Sequence, residues 1–135
     1  MNRIIVVLSL AGCIVTPVFG QISWTEHTIA GNFDGAVWAH ALDMDNDNDI
    51  DVLGAAWDAD AITWWGNDGN QSFTEHNIAS NFDGACCVFG IDLDGDDDGD
   101  AIATAYFLNT IAWWENNAGV FTQQVISNKF PGAYS

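Results

Sequence analysis

Short runs of apolar residues alternate with polar, turn-forming clusters along most of the chain. No stretch keeps a 3.6-residue hydrophobic period long enough for a helix, whereas runs rich in Val, Ile, Trp and Ala fit strands. The pattern predicts four strands in one unit, at 36–42, 52–57, 62–65 and 73–78. The cluster Asn67–Asn70 is a strong turn signal between the last two strands. We therefore expect an all-β protein.

This unit is repeated at an offset of 49 residues. Residues 25–36 return almost unchanged as 74–85, and Ile62–Trp65 returns as Ile111–Trp114. Four antiparallel strands in a repeat of this length match one β-propeller blade. The sequence thus predicts two four-stranded antiparallel β-propeller blades plus the start of a third, an incomplete propeller.

The repeat and the first residues suggest four segments. We expect a signal peptide at 1–20, a first blade at 21–73, a second blade at 74–121 and the start of a truncated third repeat at 122–135. Propellers close with four to eight blades, so two blades cannot form a ring. We expect further blades in the same chain or in other copies, and the end partway into a repeat favours truncation.

The first twenty residues have the layout of a secretory signal peptide. A basic start is followed by the apolar run Ile4–Val15, and Val18 and Gly20 are small enough for cleavage after Gly20. The apolar run is too short to span a bilayer. One alternative is a lipobox at Leu10–Cys13 with Cys13 acylated, and another is an apolar N-terminal strand. The first two interpretations place the protein outside the cytoplasm, secreted or at the cell surface.

Charge is the most unusual feature of the composition. The chain has 19 acidic and 2 basic residues, and Lys129 is the one basic residue beyond Gly20. Nucleic acids and anionic membranes would repel such a chain. Disorder is disfavoured because 49% of the residues are hydrophobic and seven are Trp. Eleven of the acidic residues lie in 43–51 and 92–100, which is unfavourable unless a cation neutralises them.

Both acidic segments place a carboxylate at every second position. Ca²⁺ takes six to eight oxygen ligands, so alternating Asp residues in a curled loop can converge on one ion. An EF-hand needs Glu at position twelve, where this chain has Gly54 and Ala103. We expect one Ca²⁺ per loop, two in total, with Mg²⁺, Mn²⁺ or a metal-free solvated turn as alternatives. The candidate metal residues are Asp43, Asp45, Asp47, Asp49, Asp51, Asp92, Asp94, Asp96, Asp98 and Asp100.

The pattern D-x-D-G-D-G-D-x-D, followed by an apolar strand and a Trp-Trp strand, resembles FG-GAP/VCBS-type repeats, which are related to the calcium-binding blades of integrin α-subunits. The resemblance covers 25–135. It implies side-chain ligands at positions one, three, five and nine and a backbone carbonyl at position seven, which is Asp49 or Asp98. The first loop departs from the pattern with Asn46 and Asn48 in place of Gly, but Asn tolerates left-handed φ. In the second loop Asp97 replaces a Gly and Gly99 replaces an apolar residue.

Other reactive or aromatic side chains have structural interpretations. His27 and His76 occupy equivalent repeat positions, and we expect both to face solvent on strands, without zinc. His40 has no repeated counterpart, and adjacent Cys86 and Cys87 read as small apolar residues rather than a bridge. In each Trp-Trp pair one ring should pack between blades and the other near the surface; stacking on sugars is the alternative.

No catalytic or cofactor-binding constellation is recognisable in the sequence. The leading hypothesis is a secreted, non-enzymatic calcium-binding module that mediates extracellular protein or glycan interaction or adhesion. The alternative is an accessory propeller of a secreted carbohydrate-active or other hydrolytic enzyme whose catalytic domain is not in this sequence.

Overall fold

The computed structural model describes residues 23–134, so the predicted signal peptide and Cys13 lie outside the described residues. This part of the chain folds into eight strands and no helix, and hence has no helix that could cross a membrane. The all-β prediction is confirmed. The strands are β1 (Ala36–Leu42), β2 (Asp51–Ala56), β3 (Ala61–Asn67), β4 (Phe73–Ala79), β5 (Ala85–Ile91), β6 (Asp100–Ala105), β7 (Thr110–Asn117) and β8 (Val120–Ser127).

The strands form two four-stranded antiparallel sheets, each in sequence order. The first sheet runs β1-β2-β3-β4 and the second runs β5-β6-β7-β8. The four strands predicted in the first unit are all present, with ends that differ by up to two residues. Trp57 is one such difference, because it lies in the turn after β2.

The boundaries of the two sheets do not coincide with the boundaries of the predicted repeat units. The first sheet covers 36–79 and the second covers 85–127, so Thr122, where a third unit is expected to open, lies within β8. The segment 24–30 has the sequence of β4 but forms no strand. His27 is therefore not on a strand as predicted. The segment pairs with none of the eight strands among the described residues, although its sequence is close to that of β4.

One face of the first sheet packs on the opposite face of the second. Leu53 and Trp64 of the first sheet join Val88 and Ala103 of the second in a single buried cluster. The Leu42 side chain lies so close to Gly90 that any Cβ there would overlap it. Small residues on the receiving face thus let the two backbones approach, and this contact is the main core of the protein.

The Trp pairs support the core interpretation. Trp65 meets the Phe33 ring edge-on at 4.9 Å, and Trp114 meets Phe82 in the same way at the same distance. In the second sheet Trp114 is buried and Trp113 is only half-buried, as expected of alternating strand residues. In the first sheet both rings are buried, because Phe33 covers one face and the second sheet covers the other.

The two sheets are stacked but do not close a ring within the described residues. Cys86 and Cys87 are both free and buried, as small core residues would be. That the two sheets are blades of a β-propeller stays a prediction.

Candidate metal centres

Each acidic segment forms the loop between the first two strands of its sheet. Positive φ angles bend both loops: Asn46 and Asn48 have φ 62° and 72° in the first, and Gly95 and Asp97 have φ 84° and 73° in the second. Asn and Asp pay a smaller steric cost than other L-residues in this region. The Asn substitutions therefore preserve the curl, as expected.

The curl brings three carboxylates together in each loop. Oxygens of Asp43, Asp45 and Asp51 lie within 4.8 Å of one another. In the second loop the same holds for Asp92, Asp94 and Asp100, each of them 49 residues further along the chain. These two acidic triads could each hold a metal ion. They comprise positions one, three and nine of the nine-residue pattern.

The ninth residue of each loop is buried and bonded to backbone. Asp51 is 0% exposed, and its two oxygens accept hydrogen bonds from the Met44 N–H at 2.8 Å and the Asn67 N–H at 2.7 Å. Asp100 accepts the equivalent bonds from Leu93 at 3.0 Å and Asn116 at 2.8 Å. One carboxylate thus ties the loop entrance to the end of the third strand. Each carboxylate oxygen has a second lone-pair site that remains available to a cation.

The first and fifth residues stabilise the turn itself. In the first loop, Asp43 accepts from the N–H groups of Asp47 at 3.2 Å and Asn48 at 3.0 Å, and Asp47 accepts from Asp49 at 2.8 Å. In the second loop, Asp92 accepts from Gly95 at 2.7 Å and Asp97 at 3.3 Å. The bonds orient the carboxylates inward. The fifth residues, Asp47 and Asp96, lie outside the triads of closest oxygens.

The seventh residues point away from the triads. Asp98 accepts a 3.1 Å hydrogen bond from the Ala118 N–H in the turn after β7. The Asp49 carboxylate lies against Gly69 in the corresponding turn of the first sheet, so close that a Cβ at Gly69 would overlap it. This leaves Asp49 and Asp98 their backbone carbonyls as the groups with which to serve a loop-bound ion, which is compatible with the ligand set that the resemblance implies.

The third residues are the least compensated carboxylates of the loops. Desolvation, followed by the charges of Asp51 and Asp47, raises the pKa of Asp45 above its ordinary value. Desolvation, followed by the charges of Asp96 and Asp100, raises the pKa of Asp94 in the same direction. Both groups are exposed at the loop surface. Each loop therefore carries negative charge that its own hydrogen bonds leave unbalanced.

Sequence reasoning missed one pair of residues that shape the centres. The Asn67 side chain donates a 3.1 Å hydrogen bond to the Ile50 carbonyl, and Asn116 donates the equivalent bond to Gly99 at 3.1 Å. Together with their backbone N–H groups, these asparagines hold the exit of each loop against the third strand. The available signal was their identity at equivalent positions of the repeat, two residues after each Trp-Trp pair.

The histidines do not join either triad. His76 stacks on Trp64 with ring centroids 4.3 Å apart, and half-buried His40 meets the Phe89 ring at 5.3 Å. His76 is exposed on β4, as predicted, whereas His27 is exposed outside any strand. Among the described residues, the acidic triads are the groups of side chains that could hold a metal ion.

The two loops also contact each other across the sheets. The Asn46 side-chain amide donates a hydrogen bond to the Asp97 carbonyl, and the Met44 backbone and sulfur pack against Gly99. The centres are therefore neighbours at one end of the stacked sheets.

Comparison of the chain with protein-family models, with curated proteins and with solved structures finds no match.

Proposed function

We propose that the protein is a calcium-binding, non-enzymatic extracellular β-repeat module with one Ca²⁺ in each acidic loop. The observation that supports this most is the pair of converging triads, Asp43/Asp45/Asp51 and Asp92/Asp94/Asp100. The three converging carboxylates of each triad form an all-oxygen environment, to which the resemblance would add the backbone carbonyl of Asp49 or Asp98. Hard cations with high coordination numbers prefer such ligands, and Ca²⁺ tolerates the irregular geometry of a loop better than Mg²⁺ does.

Electrostatics favours a cation from solution. Lys129 is the one basic side chain beyond Gly20, so the chain cannot neutralise two clusters of five and six carboxylates by itself. After desolvation, repulsion from neighbouring carboxylates also raises the pKa of Asp45 and Asp94, which agrees with this imbalance. A divalent ion at each triad would balance most of the local charge and would hold the first two strands of each sheet in register.

The wider role rests on the architecture. Two equivalent sheets stacked face to back, with their acidic loops at one end, are compatible with blades of a propeller of the FG-GAP/VCBS type. In this proposal calcium rigidifies the blades, and the assembled module contacts an extracellular protein or glycan. The predicted signal peptide would direct it out of the cytoplasm.

Calorimetric titration with Ca²⁺ tests the proposal. Wild type should bind two ions, Asp45→Asn should lose the first site and Asp94→Asn should lose the second. Asp83→Asn is the matched control, because Asp83 is an exposed acid outside both loops. Equilibrium dialysis should give the same count if the binding heat is small. Absence of saturable binding in both assays would contradict the proposal, as would equal effects of the loop variants and the control.

A further inference from the structure

The segment Trp24–Ala30 has a sequence close to that of β4 but pairs with no strand among residues 23–134. Its Thr-Glu-His and Ile-Ala recur as Thr74-Glu75-His76 and Ile78-Ala79 in β4, which pairs with β3 through six of its seven residues. Trp24 is 90% exposed, whereas the equivalent Phe73 and Phe121 of β4 and β8 are half-buried. The segment therefore presents side chains suited to a sheet edge.

The segment lies where the fourth strand of a sheet stacked on the outer face of the first sheet would lie. Phe33 packs on Trp65 with the geometry of Phe82 on Trp114, at 4.9 Å and near 90° in both. Phe82 follows the end of β4 by three residues, and Phe33 follows Ala30 by three, so the segment enters the first sheet at the position from which β4 leads into the second. A cleft of about 530 Å³ separates this segment from Val52 and Trp65. A sheet stacked over Trp65 would bring its third strand to the segment.

The second sheet has the outer face that fits this position. Ile91 and Leu93 are 51% and 44% exposed there, whereas their equivalents Leu42 and Met44 are packed against Gly90 and Gly99. On the first sheet the positions equivalent to Gly90 and Gly99 are Ala41 and Ile50, and both are exposed. Stacking in the same order between two molecules would bring Ile91 to Ala41 and Leu93 to Ile50, at a wider separation than inside the molecule, because a Cβ at Gly90 would already overlap Leu42.

We propose that Trp24–Ala30 is a donor strand that pairs with β7 of a second copy of this chain and takes the place of β8. In the register of β4, Thr25 lies opposite Glu115 and His27 lies opposite Trp113 of the second copy. His27 then stacks on Trp113 as His76 stacks on Trp64, at 4.3 Å and 15° between planes. The present β8 offers Gln124 at that position, and most of its side chains are exposed.

The resulting interface is head-to-tail, because it joins the first sheet of one copy to the second sheet of another. Edge-strand pairing supplies backbone hydrogen bonds, and the Trp ring supplies the side-chain selectivity. The proposal does not depend on calcium. Its failure would leave the metal proposal intact, because the assay below detects strand pairing only.

Disulfide trapping in the full chain tests the donor strand. A mixture of Thr25→Cys and Glu115→Cys chains should give a covalent heterodimer under mild oxidation, because residues opposite each other on antiparallel strands have Cα atoms within disulfide range. A mixture of Thr25→Cys and Val37→Cys is the control. Val37 is exposed on β1, which is an edge strand of the first sheet, whereas the proposed partner strand β7 belongs to the second sheet. A heterodimer yield no higher than this control would overturn the proposal.

Three further variants distinguish donor-strand pairing from random collision of the two chains. Adding His27→Ala should lower the yield by about two- to tenfold, the loss expected for one stacking contact, whereas Thr28→Ala, on the opposite face, should not. Adding Phe121→Ser to the Glu115→Cys chain should raise the yield, because it weakens the competing β8. Equal effects of the two alanine variants, or a yield unaffected by Phe121→Ser, would argue against exchange with β8.

Discussion

The carboxylate of Asp51 accepts a 2.7 Å hydrogen bond from the backbone N–H of Asn67, sixteen residues later in the chain. The same carboxylate accepts from Met44, so one buried side chain joins the loop entrance, the start of β2 and the end of β3. Asp100 and Asn116 repeat the arrangement in the second sheet. The last acid of each loop thus belongs to both the fold and the candidate metal centre.

Asp51→Ala should destabilise the protein even in a chelator. The substitution leaves two N–H groups without their acceptor in a buried site, and we expect a loss of about 2–4 kcal/mol in the free energy of unfolding. Denaturant unfolding in the presence of a chelator measures it. Asp83→Ala is the control, since Asp83 is exposed and lies outside both acidic loops. Equal stabilities of the two variants would show that the Asp51 bonds contribute nothing.

Asp45→Asn should have opposite effects with and without calcium. In a chelator it removes a carboxylate whose pKa is raised by desolvation and by its acidic neighbours, so the melting temperature should rise. With calcium it removes a ligand, and we expect affinity at the first loop to fall by at least about tenfold. Melting curves and calcium titrations on the same preparation check both signs. A variant that melts lower than wild type in a chelator would contradict this account of the repulsion.

The pH dependence of the metal-free protein follows from the same two residues. Folded pKa values raised above the ordinary 3.8 mean that Asp45 and Asp94 bind protons more tightly in the folded than in the unfolded state. Their contribution is therefore unfavourable at neutral pH and is relieved as the pH falls through the raised values. Calcium affinity should fall over the same window, because protons compete for the ligands.

Thermal unfolding in a chelator across this pH range, for wild type and for the double variant Asp45→Asn/Asp94→Asn, isolates the effect. Wild type should gain stability relative to the double variant as the pH falls from neutral. A difference between the two proteins that does not change with pH would contradict the prediction.

The contact between the sheets can be tested at Gly90. A Cβ at this position would overlap the Leu42 side chain, so Gly90→Ala should destabilise the protein by about 1–3 kcal/mol. Gly31→Ala is the matched control, because nothing lies within 4 Å of a Cβ there. Adding Leu42→Val should restore part of the loss in denaturant unfolding. An unchanged stability of Gly90→Ala would show that the sheets do not pack as closely as described.

Much of the fold could be predicted because the local signals agree with one another. The strands from Ala36–Leu42 onward follow from apolar runs and turn residues, and the repeat doubles every signal. The alternating Asp residues indicate a curled loop, and positive φ at Asn46 and Asn48 confirms the curl. That residues 24–30 form no strand could not be predicted, because a strand needs a partner strand to pair with as well as a suitable sequence.

The candidate metal centres could be predicted only in part, because their geometry also depends on tertiary contacts. Alternation identifies which residues have carboxylates but does not tell which oxygens converge. The structure brings Asp45 and Asp51 together with Asp43, and it turns the Asp49 carboxylate toward Gly69 in the turn between β3 and β4. The support from Asn67 depends on β3 lying beside the loop, which is a tertiary contact between residues far apart in the sequence.

Thermal unfolding of the purified wild-type chain, with saturating Ca²⁺ and with a chelator, tests the central claim most directly. If a divalent ion holds each triad together, calcium should stabilise the folded state by about 2.7 kcal/mol per site at a hundredfold excess over the dissociation constant. The melting temperature should rise accordingly, and the chelator should reverse the change. Superimposable melting curves under the two conditions would contradict the claim that these acidic loops are calcium sites.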